Sequence, residues 1–488
     1  MIGTLTIRAD ASPAIGTGHV MRMIALCQAW QRLGGRAVLI GRLQNDFVAD
    51  RLRREGVETI LLDGPPPERE SPEALVRDVS ATDGPWIALD GYRFDADCQR
   101  ALARTGRRVL VMDDYGHLPA YHCDLLLNQN IGAEEIPYQG EIADKLLGPQ
   151  HVLLRSEFLA EIPGAAARTF PDRAKNILVS LGGADVSALL GPLADRLCDP
   201  VLEGCALHVI AGGVPEQRWR ELLSGCPAEV VILPTAPDMP ERMSRADFCV
   251  TAGGSTCWEL CALGVPFGVL SLAENQRGNV RHLVENGIAV DCLEGPLAAT
   301  LASAAARREL HRRSMALIDG QGADRVVRAM AERLLRLDHV TVDDCEGVFA
   351  VASDPEVRRF FFSTGEVQWT DHVRWFTNRL ARGDAPFYAI REPDGNVAGY
   401  IRFEREKGRC VLSIALRRTA RGKGIGSRLL REAAARFFAE DPETPSLTAE
   451  VRADNTASVR AFEKAGFERI GPSEHDGIPI VILQKQRS

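Results

Sequence analysis

The chain has 488 residues, of which 45% are hydrophobic and 25% are charged, and its formal net charge is −8. This composition is typical of a globular protein, its length predicts about three domains, and its negative charge argues against a general nucleic-acid binder. No apolar run approaches the length that spans a bilayer, and the first ten residues lack the features of a signal peptide. We therefore expect a cytoplasmic protein without nucleic-acid or membrane partners.

Short β-branched runs alternate with amphipathic helical stretches from residue 1 to about residue 335. A helix is predicted over 19–33, where Val20, Ile24 and Trp30 share one face. Such alternation favours doubly wound parallel sheets. The strands predicted before residue 130 are 5–8, 37–40, 59–62, 86–89, 109–112 and 125–127.

The alternation pauses over 161–172, a stretch rich in Ala, Gly and Pro, and restarts at Asn176. The pattern therefore predicts two α/β lobes, 1–165 and 170–337, the second closed by a helical segment over 302–337. Its further predicted strands are 207–211, 230–233, 248–251 and 267–270.

The pattern changes near residue 340 and predicts a third, α+β domain over 340–488. Helical stretches come first, followed by a hairpin-like pair of strands within 402–416. A glycine-rich turn, a helix over 427–438 and a strand over 446–451 complete the predicted order.

Twelve cysteines are scattered through apolar surroundings, and none forms a Cys-x-x-Cys pair. Buried reduced thiols are the expected state. Cys257 and Cys261 lie one helical turn apart, so zinc ligation with a distant histidine is the alternative.

The first functional signal is the turn Gly16-Thr-Gly-His19. Glycines at a strand-to-helix turn bring backbone amides against an anionic or polar ligand, and an imidazole there is a candidate base. Asp10 could orient His19, bind a sugar hydroxyl or cap a turn. Arg22 could offset phosphate charge or belong to a solvated helix face.

A second glycine-rich turn, Gly253-Gly254, lies in the predicted second lobe. Ser255 and Thr256 follow it and can cap a helix whose start favours phosphate. Glu259 could accept two hydrogen bonds from a ribose diol or merely complement the helix dipole. Gly182 and Gly183 could line the same cleft or form a tight turn.

These residues resemble known families. Gly-Gly-Ser-Thr, Glu259, Gly-Val-Pro (264–266) and Asn275-Gln276 resemble the donor-nucleotide signature of GT-B glycosyltransferases that use UDP-sugars. The start of the chain, Arg8-Ala-Asp10 with the Gly-Thr-Gly-His turn, resembles the UDP-sugar hydrolases of pseudaminic acid biosynthesis. Segments 113–114, 124–130, 148–158 and 319–322 agree with that family, so the likeness covers about 1–335.

The resemblance implies hydrolysis of the C1–O bond of a UDP-linked 2,4-diacetamido-2,4,6-trideoxy sugar of the L-altro configuration. His19 matches the catalytic histidine and would act as the general base that activates water, with inversion at C1. No metal is expected, and ligation by Asp113 and Asp114 is the alternative. The implied substrate-binding residues are Asp10, Gly16, Gly18, Arg22, Gly183, Gly254, Ser255, Thr256, Glu259, Asn275, Gln276 and Asn279.

The third domain carries Arg421-x-x-Gly424-x-Gly426 and, after the next predicted strand, Asn455 with Ser458. Successive amides in such a turn can hold a pyrophosphate. Together the segments resemble motifs A and B of the GNAT superfamily of N-acetyltransferases, which implies acetyl-CoA as co-substrate. The implied acetyl-CoA-binding residues are Arg421, Gly422, Lys423, Gly424, Ile425, Gly426, Asn455 and Ser458.

One residue departs from the GNAT pattern. Many members have a tyrosine at the position of Phe462, and phenylalanine cannot protonate a leaving thiolate. Glu404, Ser413 and Glu450 are candidates to deprotonate the amine or are ordinary strand residues. The segment 372–376 resembles a helix of acetyltransferases that act on nucleotide-linked amino sugars, and Trp369 and Trp375 would lie in the core or line the acceptor pocket.

The two resemblances together predict a bifunctional enzyme of pseudaminic acid biosynthesis. It would N-acetylate the 4-amino group of a UDP-amino sugar and then release UDP from the product. Two alternatives stay open: a glycosyltransferase with an acceptor other than water, and a hydrolase with a non-catalytic CoA-binding module.

Overall fold

The computed structural model describes residues 2–44, 46–182, 189–363, 365–406, 408–421 and 425–487. The chain forms two compact units, Gly3–Arg328 and Ala329–Ser488. The N-terminal unit contains two parallel sheets, and the C-terminal unit contains one mixed sheet.

The first lobe of the N-terminal unit is a seven-stranded sheet in the order β3-β2-β1-β4-β5-β6-β7. All its pairings are parallel, and the six predicted strands are confirmed. Strand β7 is mostly exposed, so no apolar run predicts it. The elements are β1 (Thr4–Ala9), α1 (Gly18–Arg32), β2 (Arg36–Gly41), α2 (Asp46–Arg54), β3 (Glu58–Leu61), α3 (Pro72–Val79), β4 (Trp86–Asp90), α4 (Ala96–Ala103), β5 (Arg108–Met112), β6 (Tyr121–Asn128) and β7 (Gly140–Leu147).

The central strands β1 and β4 are buried almost throughout. Parallel strands covered by helices on both faces have continuous apolar sequences, which is why these runs are easy to recognise. The strand order reverses between β1 and β4, and ligands of doubly wound sheets bind beyond the carboxyl ends of the strands at such a point.

The second lobe has six parallel strands in the order β10-β9-β8-β11-β12-β13, which reverses between β8 and β11. The two lobes confirm the predicted pair of doubly wound folds. The elements are α5 (Ser156–Ala165), β8 (Asn176–Ser180), α6 (Leu190–Leu197), β9 (Ala206–Ile210), α7 (Glu216–Leu222), β10 (Glu229–Leu233), α8 (Met239–Arg245), β11 (Phe248–Ala252), α9 (Thr256–Ala262), β12 (Phe267–Leu270), α10 (Glu274–Glu285), β13 (Val290–Asp291), α11 (Leu297–Leu301), α12 (Ala304–Leu317) and α13 (Gly322–Glu332).

Two stretches differ from the prediction. Helix α5 extends into the predicted junction over 161–172, because Phe158 and Ala165 are buried despite the Pro and Gly content. The predicted helical segment over 302–337 is interrupted at Gly320, whose φ of +76° is left-handed. Its last residues form a strand instead, because they pair with a neighbouring strand of the C-terminal sheet.

The C-terminal unit is built on a seven-stranded sheet in the order β14-β15-β16-β17-β18-β20-β19. Its hairpin β16–β17 and the helix and strand that follow confirm the predicted α+β order. The elements are β14 (Arg336–His339), α14 (Cys345–Ala352), α15 (Pro355–Arg358), α16 (Trp369–Arg382), β15 (Phe387–Arg391), β16 (Val397–Glu406), β17 (Arg409–Leu416), α17 (Ile425–Glu440), β18 (Ser446–Arg452), α18 (Thr456–Lys464), β19 (Glu468–His475) and β20 (Ile478–Gln486).

Strands β17 and β18 are the one parallel pair among the described strands of this sheet, and they pair only at their beginnings. The registered partners are Cys410 with Leu447 and Val411 with Thr448. Beyond these two pairs, β17 and β18 are not paired with each other, so a gap opens between their carboxyl ends.

No helix in the described parts of the chain is both long and apolar enough to cross a bilayer. All the cysteines are unpaired and most are buried, Cys257 and Cys261 among them. Burial raises the pKa of Cys261 to about 12, which keeps that thiol protonated at neutral pH.

Phe248 on β11 tests the core of the N-terminal unit, because its side chain is fully buried. We expect Phe248→Ala to lower the free energy of unfolding by about 3–5 kcal/mol, since it leaves a cavity. Phe47, 42% exposed in the same unit, is the matched control, and Phe47→Ala should change it by less than about 0.5 kcal/mol. Urea titration followed by tryptophan fluorescence measures both, and equal effects would contradict this account of the core.

Candidate active sites

His19 lies at the crevice between β1 and β4. It follows the glycine turn after β1, and its Nδ1 is 2.6 Å from Oδ1 of Asp90, the last residue of β4. The register places Ala9 opposite Asp90, so the turn and the carboxylate leave the sheet at the same level. A carboxylate that accepts the Nδ1 proton leaves the lone pair of Nε2 available as a base.

Arg22 holds the same carboxylate from one turn further along α1. Its Nε and Nη2 each donate to Asp90 at 2.6 Å, and its Nη1 donates to Asp114 at 2.7 Å. Burial alone would raise the pKa of Asp90, but the charges of Arg22 and His19 outweigh burial and hold that pKa well below its usual range. The solvated-face alternative for Arg22 is therefore wrong, since the residue is 8% exposed.

Asp10 does not orient His19. Its carboxylate accepts from Arg8 Nη1 at 2.6 Å and from the Arg42 backbone amide at 2.5 Å, and it also pairs with Arg93. The orienting role suggested for Asp10 falls instead to Asp90, because the arginines around β1 already occupy Asp10.

A cavity of about 600 Å³ opens above these groups. His19, Asp10 and Asp90 line it, and residues 12–15 of the loop between β1 and α1 form part of its wall. Gly16 has a φ of +78°, and its amide donates to the Ser12 carbonyl at 2.8 Å, which closes the turn. Gly18 begins α1 one residue before His19.

The second lobe brings its predicted residues to the reversal point between β8 and β11. Gly253 follows β11, and Gly182 follows β8 with a φ of +78°. Asn279 on α10 donates to the Gly253 carbonyl at 2.8 Å and so fixes the turn. A Cβ on Gly253 would lie 2.4 Å from Val280, so only glycine fits there. Gly183 lies outside the described residues.

The neighbouring predicted residues lie around the same turn. Gly254 faces the Gln276 amide, and Gln276 itself accepts from the Leu272 amide at 3.0 Å. Ser255 and Thr256 begin α9 without a side-chain capping hydrogen bond.

Glu259 on α9 is bound by an arginine that sequence reasoning did not assign. Arg155 Nη2 donates to Glu259 Oε1 at 2.8 Å, and the carboxylate side chain is 15% exposed. Burial raises the pKa of Glu259, and the charge of Arg155 opposes that rise. Arg155 immediately precedes α5, within the segment 148–158 that agrees with the hydrolase family, and that segment is the signal that marks it in the sequence.

A hydrogen-bond chain joins the two lobes. Asn275 Nδ2 on α10 donates to the Tyr92 hydroxyl at 2.8 Å, and that hydroxyl donates to Asp114 at 2.6 Å. The Tyr92 ring lies 5.3 Å from the His19 ring between centroids. Burial and the charge of Asp114 raise the pKa of Tyr92 far above its usual value, so this phenol stays protonated.

The adjacent carboxylates Asp113 and Asp114 are both occupied by protein groups. Asp113 is fully buried and accepts from His117, Tyr121 at 2.8 Å and Tyr138 at 2.6 Å. Burial opposes ionisation, but these hydrogen bonds and the Gly116 amide hold the pKa of Asp113 at about 2. Their partners give both residues a structural role in the described chain.

In the C-terminal unit a cavity of about 890 Å³ occupies the gap between β17 and β18. Ser413, Ile414 and Leu416 line one side, and Val451 and Arg452 line the other. Strand backbone groups without cross-strand partners can bind an extended ligand as a further strand would.

The predicted acetyl-CoA residues lie around this cavity as far as they are described. Arg421, Gly426, Asn455 and Ser458 line it. Arg421 Nε donates to the Leu416 carbonyl at 2.7 Å, and Asn455 Oδ1 caps α18 by accepting from the Ser458 amide at 3.1 Å. The Ile425 side chain is buried in the core of this unit. Gly422, Lys423 and Gly424 lie outside the described residues.

Phe462 lines the same cavity and is 2% exposed. Glu450 also lines it, and its Oε2 lies 3.3 Å from Nδ1 of His475, a residue that sequence reasoning did not single out. Ser413 Oγ accepts from Arg402 Nε at 2.9 Å, and Arg402 also pairs with Glu404 at 3.5 Å.

The two tryptophans of α16 have different surroundings. Trp375 lines the cavity, together with His372. Trp369 is 42% exposed, so the expectation that it lies in the core or the pocket is wrong.

The contribution of Asp113 to the stability of the first lobe can be tested through its pH dependence. Because its pKa is about 2 in the folded chain against 3.8 ordinarily, it contributes about 2 kcal/mol of stability above about pH 5. That contribution is lost as the pH falls from about 4 to 2. We expect Asp113→Asn to flatten the pH dependence of the free energy of unfolding in this range, while the exposed Asp172→Asn leaves it unchanged. Urea titrations at several pH values measure the slope, and a wild-type slope in Asp113→Asn would contradict the prediction.

Two family models match the chain. The acetyltransferase (GNAT) domain matches residues 334–468, and the glycosyltransferase family 28 C-terminal domain matches residues 205–316. The L-2,4-diaminobutyric acid acetyltransferase of Streptomyces anulatus is 32% identical over 135 residues, which are 28% of this chain and 72% of that protein.

Two further relatives match the N-terminal unit. The spore coat polysaccharide biosynthesis protein SpsG of Bacillus subtilis is 25% identical over 343 residues, 67% of this chain and 97% of that protein. The UDP-2,4-diacetamido-2,4,6-trideoxy-β-L-altropyranose hydrolase of Campylobacter jejuni is 20% identical over 288 residues, 58% of this chain and 97% of that protein. The chain belongs to the GNAT acetyltransferase family through its C-terminal unit, and the second lobe of the preceding unit resembles the glycosyltransferase family 28 C-terminal domain.

Proposed function

We propose that the N-terminal unit hydrolyses the anomeric C–O bond of a UDP-linked 2,4-diacetamido-2,4,6-trideoxy sugar, and that the C-terminal unit N-acetylates the 4-amino group of its precursor. The observation that carries the first half is the His19–Asp90 hydrogen bond of 2.6 Å at the reversal point of the first sheet. The likeness to the Campylobacter jejuni hydrolase supports the substrate class.

In this proposal His19 is the general base. Asp90 fixes the ring through Nδ1, so Nε2 takes a proton from a water molecule as the water oxygen attacks C1. The C1–O bond breaks with its electrons going to the diphosphate of UDP, which leaves from the opposite face. The anomeric centre is therefore inverted, and the free sugar carries the new hydroxyl group.

The second lobe would bind the UDP half of the substrate. The Gly253-Gly254 turn allows close approach of a ligand to the backbone, and Asn279 holds that turn. Glu259 can accept hydrogen bonds from a ribose diol while Arg155 keeps it oriented. Asn275 reaches from this lobe to Tyr92 beside His19, so the nucleotide half and the reacting carbon would meet near that contact.

In the C-terminal unit the amine nitrogen would attack the thioester carbonyl of acetyl-CoA. The amine proton passes to a base, for which Glu450 lies on the cavity wall, and the C–S bond breaks to release the CoA thiolate. Phe462 has no proton to give, so a water molecule or another protein group would protonate the thiolate. Acetyl-CoA supplies the acyl group, and the gap between β17 and β18 offers an extended site for it.

The two reactions fit a single order. N-acetylation completes the diacetamido sugar while UDP is still attached, and hydrolysis then removes UDP from that product. Both sites would therefore recognise one UDP-sugar scaffold.

His19→Ala tests the hydrolysis. We expect kcat for UDP release to fall by about 10²–10⁴-fold, because the general base is lost. His122→Ala, a histidine of β6 whose Nε2 lies 2.6 Å from Arg100 Nη1, is the control and should keep the wild-type rate. Release of UDP and free sugar, followed by NMR and mass spectrometry, measures both, and full UDP release by His19→Ala would exclude this mechanism.

Phe462→Tyr tests the acetyl transfer. A phenol at this cavity-lining position would supply the missing proton donor, so we expect the acetylation rate to rise by roughly 10-fold or more. Phe467, also buried and packed against Phe462 at 5.1 Å between ring centroids, is the matched control. Phe467→Tyr should give no gain.

The same assay distinguishes acetyl transfer by this unit from CoA binding without catalysis. Acetyl-CoA binding without acetylation in both the wild-type protein and Phe462→Tyr would favour a non-catalytic CoA-binding module.

A further inference from the structure

A proline triplet, Pro65–Pro67, lines the 600 Å³ cavity on the side formed by the loop between β3 and α3. The loop between β1 and α1 lines it with Pro13, Ala14 and Ile15. The cavity therefore has apolar side chains on two loops. Its charged groups include His19 and Asp90 beside the sheet edge and Glu68, which follows the proline triplet on the same loop. We call Pro65–Pro67 the proline wall.

Hydrogen bonds anchor the loop that carries the proline wall at both of its ends. Before it, the Leu62 amide donates to the Gly41 carbonyl at 3.0 Å. After it, the Glu70 carboxylate is 3% exposed and accepts from Arg8 at 2.8 Å and from Arg42 at 3.0 Å.

The backbone at Glu70 is also bound, because its amide donates to the Arg93 carbonyl at 3.2 Å. A buried carboxylate of this kind is costly to leave unpaired, so the arginines fix where the loop returns to the sheet. Each proline further restricts the backbone, because its ring fixes φ near −65°. The wall is thus a stiff surface held in place by an ion cluster.

We propose that the proline wall is a specificity element that selects sugars with methyl-bearing substituents, such as a 6-deoxy carbon or an N-acetyl group, over their hydroxylated counterparts. This inference rests on the proposed sugar-nucleotide site. A methyl group against the proline rings is buried at no polar cost, whereas the rings offer a hydroxyl group neither a donor nor an acceptor in place of the water that it loses. Proline has no amide N–H and no polar side-chain atom to offer.

The size of the effect follows from the chemistry of apolar pockets. Such pockets discriminate against an added hydroxyl group by about 10- to 100-fold. In the proposed function the reacting carbon lies at His19. The proline wall would therefore contact the substituents of the sugar and take no part in the chemical step.

Binding measured in the His19→Ala background tests the wall, because ligands then persist during titration. Three ligands are compared by calorimetry: the UDP-linked 2,4-diacetamido-2,4,6-trideoxy sugar, its 6-hydroxy counterpart and its bis-N-glycolyl counterpart. The last two carry hydroxyl groups on the methyl positions and match the first otherwise. We expect the first ligand to bind about 10-fold or more tightly than at least one of the others.

The variant Pro65→Ser/Pro66→Ser/Pro67→Ser should bring that ratio below about 3, while the Kd for UDP alone stays within about twofold of the parent. The single variant Pro66→Ser should give an intermediate ratio, and it serves if the triple change perturbs folding. Pro215→Ser, at an exposed proline of the second lobe, is the control and should keep the parent ratio.

Equal affinities for all three ligands, or a ratio that the serine variants leave unchanged, would overturn the proposal. Failure of the proposed hydrolysis is a separate result, because it is read as absence of UDP release by the protein with His19 intact. The affinity ratio decides the role of the wall in either case.

Discussion

The buried carboxylate of Asp90 is the interaction on which the first candidate site depends. A carboxylate in the interior costs several kcal/mol unless cations and hydrogen-bond donors surround it. Arg22 supplies two N–H groups at 2.6 Å, and His19 supplies the ring nitrogen at 2.6 Å. Both partners lie on the first turns of α1, so the helix cannot slide along β4 without leaving the charge unpaired. The position of the imidazole is therefore set by the sheet and not by the loop before it.

The same topological feature organises the second lobe. Its strand order also reverses at the centre, between β8 and β11, and the Gly253 turn leaves the sheet there. Each lobe presents one such edge, which is the arrangement that the proposed substrate, with a nucleotide half and a sugar half, requires. The contact of Asn275 with Tyr92 joins the two edges, and Arg155 joins the segment between the lobes to Glu259 on α9.

The sequence predicts the strands well because parallel strands covered on both faces are continuous apolar runs, as in β1 and β4. It also identifies His19, because glycines mark the turn before it. It does not identify Asp90, since an aspartate after an ordinary strand carries no local signal, and its pairing with His19 depends on β1 and β4 being neighbours. Strand β7 is missed because an exposed edge strand has no apolar run. The end of the predicted helical segment is missed because residues 336–339 form a strand only through pairing with β15.

The two carboxylates at this edge, Asp10 and Asp90, have separate sets of cations. Asp90 is bound by Arg22 and His19, whereas Asp10 is bound by Arg8 and Arg93. Arg8 also holds Glu70, so the second set anchors the proline wall. Because no arginine among the described residues binds both carboxylates, a change in the loop that carries the proline wall leaves the partners of His19 in place. Substrate preference can therefore vary in that loop while the orientation of the base stays fixed by α1 and β4.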